Sequence, residues 1–157
     1  MFQKYGEPEP YLKVMLSLDT CDPIPDTVVR AYKTEAELLI GFKDLIREED
    51  PDILTGYNIL GFDWNYVYER IKLLDIEAEY CQLNRYLGLE DKPSRFVTKN
   101  LSSSALGDNV LKFFEMKGRV QIDLLKVAQR DHKLDSYKLD RVAEHFINQD
   151  IVKFDGN

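Results

Sequence analysis

Residues 50 to 64 read "DPDILTGYNILGFDW", and the parsing of this stretch decides the fold. Asp50-Pro51 is a stop, because a proline pushes the residue before it out of the right-handed helical region. The apolar "ILTGY" that follows reads as a short strand. A second helix starts near Asp63, with Val67, Ile71 and Leu74 at i, i+4 and i+7 as its apolar seam. A strand feeding a helix in this way is the repeating unit of an α/β layer fold.

Upstream, "TEAELLIGFKDLIREED" opens with Thr34 and, three residues on, Glu37, the signature of a capping box, and spaces Leu38, Phe42, Leu45 and Ile46 as one helical face. "YLKVMLSL" at 11–18 alternates as a strand with Leu12, Val14, Leu16 and Leu18 on one side, and "VVRAY" at 28–32 reads as another. The proline- and aspartate-bearing 19–27 between them is a loop, and residues 1–10 are an irregular lead-in. Downstream, the pattern weakens from about 80 to 104. "VLKFFEM" and "RVQIDLL" then form a hairpin and a further strand, and "SYKLDRVAEHFI" a last helix, with Leu139, Val142, Ala143 and Phe146 on one face and Ser136 as its cap. The order is strand, strand, helix, strand, helix, hairpin, strand, helix, which predicts an α/β fold with one mixed sheet flanked by helices.

At 157 residues the chain holds one sizeable core, so one domain or a piece of one is expected. It has no apolar run long enough to span a membrane and no signal-peptide pattern at its start, which places it inside the cell. Cys21 and Cys81 lie far apart without a Cys/His neighbourhood, so buried or half-buried thiols are expected rather than a disulfide or zinc site. A formal net charge of −7 is wrong for a basic nucleic-acid module, unless divalent cations or other parts of a larger protein offset it.

A cluster of carboxylates at strand ends and helix starts is stable only with cations among them, which is how two-metal phosphoryl sites are built. Asp63 is a candidate ligand of that kind. Asn58, at the strand end, could hold that carboxylate or a phosphate, and Phe62 offers a face for a nucleobase. Each has a plainer reading: Asp63 as a helix N-cap, Phe62 as core, Gly56 and Gly61 as turn residues. The same holds elsewhere. Asp123 is a buried structural carboxylate or a neighbour of the site, with Arg119 as a candidate partner, and His132 and His145 read as surface or helix-face residues.

"DPDILTGYNILGFD" is similar to the second exonuclease motif of family B DNA polymerases, "DPDxITGYNIxxFD", which ends in a metal-binding Asp. "TCDPIPDTVVRAYKTEAELL" resembles the segment leading into the first helix, and "GRVQIDLLKVAQRDHKLDSYKLDRVAEHF" the stretch after the second motif in delta-type and large-DNA-virus polymerases. "LSSSALGDNVLKFFEMKGRVQIDLL" resembles the viral branch most. Matches in the same order over nearly the whole chain are far more specific than one short motif.

The resemblance implies a ribonuclease-H-like exonuclease fold, incomplete at both ends, with 1–157 as part of a proofreading 3′–5′ exonuclease domain and a hairpin inserted at about 97–116 that helps pass the primer between sites. It implies Asp63 as a catalytic metal ligand and Asn58 and Phe62 as neighbours of the 3′ end. Four acidic groups would hold two Mg²⁺ or Mn²⁺ ions, one activating water and one stabilising the leaving 3′ oxygen. A frayed mispaired end would be the preferred substrate. Primer-template DNA with its single-stranded 3′ end and the remaining polymerase domains in cis are the implied partners, with a sliding clamp as a further one and no membrane. The place of work would be the nucleus or a cytoplasmic viral replication site.

The family's first motif, Asp-x-Glu, and third, Tyr-x-x-x-Asp, have no match. Asp19 and Asp22 in "LSLDTCD" are three apart, and Asp140 follows Tyr137 by three. The expectation is therefore an isolated chain without exonuclease activity. A non-catalytic module on the same shell, or a free-standing nuclease, are the alternatives.

Overall fold

The computed structural model describes residues 1–85, 93–103 and 107–147. Among the described residues there are three short ladders, five α-helices and one π-helical turn. β1 (Val14–Leu18) and β2 (Val28–Tyr32) pair in parallel, Val14 opposite Val28 and Leu18 opposite Tyr32. Residues 19–27 must therefore retrace the strand's length, roughly 17 Å, which nine residues of extended chain cover easily. β1 is shorter than its alternation predicts. Leu12 lies before it in a lone bridge with Phe2, and Leu18 is exposed where Asp19, at φ 62°, turns the chain away.

α1 (Glu35–Glu49) begins with the predicted capping box: Glu37 N–H donates to Thr34 Oγ1 at 3.2 Å and Thr34 N–H to Glu37 Oε2 at 3.1 Å. Leu45 and Ile46 are buried, Leu38 and Phe42 half-buried. The helix ends at Asp50, which takes the left-handed conformation (φ 45°) before Pro51 and donates its N–H to Ile46 O. β3 (Ile53–Gly56) follows and pairs in parallel with β6 (Val120–Asp123), Gly56 facing Asp123. Next come a π-helical turn over Ile59–Asp63, α2 (Trp64–Leu73) and the short α3 (Glu77–Tyr80). Ile71 is fully buried on α2, and Val67 and Leu74 pack on the same core, as their spacing predicts.

β4 (Arg95–Ser103) and β5 (Gly107–Glu115) form an antiparallel pair in full register where the hairpin is expected; its tip, 104–106, lies outside the described residues. One face of this pair docks on α2. Phe114 is fully buried, edge-on to Trp64 (5.7 Å between centroids), Tyr68 (6.0 Å) and Phe96 (5.2 Å), and Tyr68 stacks on Phe96 at 3.9 Å. With Leu39, Ile46, Tyr80, Cys81, Leu83 and Met116 these rings form the core.

Three sequence expectations are corrected. Among the described residues the strands form three separate two-stranded ladders rather than one mixed sheet. After β5 the chain turns through Lys117 and Gly118 (φ 86°), and the aromatic face of the hairpin is spent on α2, so β6 runs beside β3 instead of β5. The strand predicted over "RVQIDLL" stops at Asp123, whose side chain accepts from Leu125 N–H and starts α4 (Leu124–Asp131). An apolar run around an N-cap aspartate satisfies either pattern, and the cap wins here. In α5 (Leu139–Ile147) only Val142 and Ala143 of the predicted face are buried. Leu139 and Phe146 are exposed, Phe146 resting edge-on against His132 at 4.7 Å. Ser136 Oγ accepts from Lys138 N–H at 3.4 Å, one residue before this helix.

Both cysteines are free, Cys81 buried and Cys21 half-buried, as expected. No described helix is long and apolar enough to cross a membrane.

Candidate functional site

Asn58 closes β3 in the left-handed conformation, φ 62° and ψ 25°, which asparagine adopts more readily than most side chains. Its carbonyl accepts from Gly61 N–H at 3.1 Å and Phe62 N–H at 2.9 Å, so the chain curls back on itself at once. A Cβ at Gly61 would lie 2.3 Å from the Asn58 carboxamide oxygen, so a larger residue there would push that side chain aside. The widened turn then runs into α2 without a break, Trp64 N–H bonding to Ile59 O. Single π-turns of this kind are rare and gather at functional sites.

Asp63 has helical angles (φ −61°, ψ −49°) and makes no capping hydrogen bond, because the helical path begins at Ile59 rather than at Trp64. The N-cap reading of Asp63 is therefore overturned. Its side chain is exposed, and Phe62 beside it is 63% exposed, which overturns the core reading of that ring as well. Phe62 stacks on Tyr66, one helical turn on, with centroids 6.3 Å apart and planes 13° from parallel.

The donors at the start of the turn are met from far along the chain. Asp123 Oδ1 accepts from Asn58 N–H at 2.8 Å and Oδ2 from Leu60 N–H at 3.0 Å, while Oδ1 also takes Leu125 N–H at 3.0 Å. Asp123 is buried, at 3% exposure, so it is both a structural carboxylate and a neighbour of the site. Arg119 is not its partner and pairs with Asp50. Tyr57, between β3 and the turn, donates its hydroxyl to Tyr137 O and so ties the turn to the approach of α5. Burial raises the Tyr57 pKa, with the Asp123 and Asp140 charges adding to it. His132 and His145 are exposed.

The site thus consists of an exposed carboxylate and an exposed aromatic face on a helix start held rigidly from behind. Among the described residues no group of three or more His, Cys, Asp or Glu forms a metal cluster. A family model for the exonuclease domain of family B DNA polymerases matches residues 1–142. The chain belongs to that family.

Similar proteins are a DNA polymerase of Pyramimonas orientalis virus, 49% identical over 92% of this chain, and DNA polymerase delta catalytic subunits of Glycine max, 40% identical over 92%, and Bos taurus, 38% identical over 93%. This exonuclease-domain chain spans only 12–13% of the length of those relatives. Within the family B exonuclease chain, the likeness named Asp63, Asn58 and Phe62. Tyr57 and Tyr66 were missed, because a tyrosine near a strand end or on a helix has no sequence signal that separates core from surface.

Proposed function

We propose that this chain is part of the proofreading 3′–5′ exonuclease domain of a replicative family B DNA polymerase, built on a ribonuclease-H-like fold. Asp63 is a metal ligand of the hydrolytic site, and Asn58 and Phe62 flank the 3′ end of the strand. The observation that carries this reading is the release of Asp63 from any capping role, with its carboxylate exposed beside the exposed Phe62 ring.

Each residue's part follows from its position. Phe62 and Tyr66 present stacked faces to an unpaired base, a contact worth roughly 1–3 kcal/mol per base. Asn58, half-buried, keeps its carboxamide at the turn against Gly61, five residues before Asp63. Two bound Mg²⁺ or Mn²⁺ ions would supply an activated water and charge stabilisation on the leaving 3′ oxygen. Cations also reconcile a chain of net charge −7 with a polyanionic substrate. A mispaired end is preferred because it leaves the duplex at lower cost.

The other acidic ligands and the polymerising domains belong to the rest of the protein, working on primer-template DNA in the nucleus or at a cytoplasmic viral replication site, with a sliding clamp as a further partner. The β4–β5 hairpin helps pass the primer between the two sites. The isolated chain is inactive, since a single carboxylate cannot replace the inner hydration of two divalent ions. The test is incubation of the full-length protein with a 3′-labelled single strand. Deoxynucleoside monophosphates released with Mg²⁺ and absent with a chelator support the reading; retained label refutes it.

A further inference from the structure

Asp123 is the least ordinary group behind the site, a buried carboxylate that accepts three backbone N–H groups and no described cation. Two of the donors, Asn58 and Leu60, open the π-turn, and the third, Leu125, opens α4. Negative charge at two helix starts is favoured by their orphan N–H groups and dipoles, which explains how the carboxylate stays buried without a counter-ion. Both oxygens accept from the backbone.

We propose that Asp123 is a positioning residue for hydrolysis, holding the Asn58–Asp63 turn in the one geometry that turns Asp63 outward; this rests on the exonuclease reading above. The dependence is geometric. Without Asp123 the Asn58 and Leu60 N–H groups lose the acceptor that holds the π-turn, and the helix is then free to begin later, at a conventional N-cap on Asp63 whose carboxylate accepts from Asn65 or Tyr66 N–H. Asp63 is then drawn into the capping role that its residue type prefers. The carboxylate of Asp123 therefore keeps that of Asp63 available.

Two variants separate this role from simple stability. Asp123→Asn is isosteric and keeps one oxygen for Asn58 and Leu125, but sets an amide NH₂ against Leu60 N–H. Asp123→Ser keeps an N-cap for α4 and is too short to hold the turn. In the full-length protein, digestion of a 3′-labelled single strand is followed across Mg²⁺ and Mn²⁺ concentrations, with extension of a paired primer measured on the same samples.

The expected result is an exonuclease rate lowered by about 10- to 100-fold in both variants, the range seen when a group orienting a metal ligand is removed. The metal concentration for half-maximal rate rises, excess Mn²⁺ restores part of the loss, and primer extension is unchanged. Exonuclease rates within about threefold of wild type at an unchanged metal requirement overturn the assignment. So does a parallel fall of exonuclease and extension with no change in metal requirement, which would make Asp123 a stability residue only. An inactive wild type that still extends primers overturns the exonuclease reading and this assignment together, whereas active wild type beside equally active variants overturns the assignment alone.

Discussion

Arg119 Nη1 lies 2.8 Å from Asp50 Oδ1, joining the turn before β6 to the left-handed residue that ends α1. The Arg119 side chain is 2% exposed and also donates to Pro51 O at 2.8 Å and Leu83 O at 3.2 Å, so one guanidinium ties two other segments, 50–51 and the one around Leu83, to its own. Arg85 covers the outer side of the same aspartate, with Nε 2.9 Å from Oδ1. Arg119→Ala takes this donor from the buried Leu83 carbonyl and the half-buried Pro51 carbonyl while the half-exposed Asp50 keeps Arg85, which sets the loss at about 1–3 kcal/mol. Arg119→Lys should recover little of it, because an ammonium cannot reproduce the planar fork. Urea unfolding of both variants checks this.

Phe114→Ala tests the docking of the hairpin on α2. The ring is fully buried among Trp64, Tyr68, Tyr80 and Phe96, and its removal leaves a cavity that four aromatic neighbours cannot readily close. The expected cost is about 3–5 kcal/mol, read as a lower denaturant midpoint. A loss below about 1 kcal/mol would mean the hairpin does not belong to the cooperative core.

Acid should weaken the fold through two carboxylates. Hydrogen bonding to Arg85, with Arg119 adding to it, holds Asp50 below the usual aspartate value, and the Arg70 guanidinium does the same to Glu35, Nε to Oε1 at 2.6 Å. A folded pKa below the unfolded one means stability that is fully present above the unfolded values near 4 and is lost as pH falls through the folded ones. Unfolding midpoints from about pH 6 down to about pH 2 should therefore fall, with Asp50→Asn flattening that acid limb.

The two thiols should behave differently toward an alkylating reagent. Burial, aided by the Glu77 charge, pushes the Cys81 thiol up to about 11, whereas Cys21 is half-buried. At about pH 8 Cys21 is expected to label in the native protein and Cys81 only after unfolding. The raised pKa has the opposite pH sign to Asp50: its contribution is complete below the unfolded thiol value of roughly 8.5 and is lost as pH rises through the folded one.

Local signals were readable in the sequence where the interactions themselves are local. The α1 capping box spans Thr34 to Glu37, and the α2 seam repeats within one helix, so both appear as predicted. Residues that serve two elements were harder to read. Asp123 was legible as a buried carboxylate or a neighbour of the site, but not as the residue that ends β6, starts α4 and holds a turn 63–65 residues away. Arg119 is four positions from Asp123 and instead reaches Asp50, which only the tertiary path brings near. The same distance problem hid the division of the strands into three ladders, since pairing partners are not encoded in alternation. At the site, Asp63, Asn58 and Phe62 were named by family likeness. Whether Asp63 caps a helix depended on where the helical path begins, and that is set by Asn58 and the distant Asp123.

The proposed role of Asp63 as a catalytic metal ligand is tested by the rate of 3′-nucleotide release from a mispaired primer end by the full-length protein and its Asp63→Ala variant, with primer extension measured alongside. Loss of one charge-stabilising ligand predicts a rate lower by about 10²- to 10³-fold, with extension retained. Nucleotide release by Asp63→Ala at the wild-type rate would exclude Asp63 from metal binding in hydrolysis.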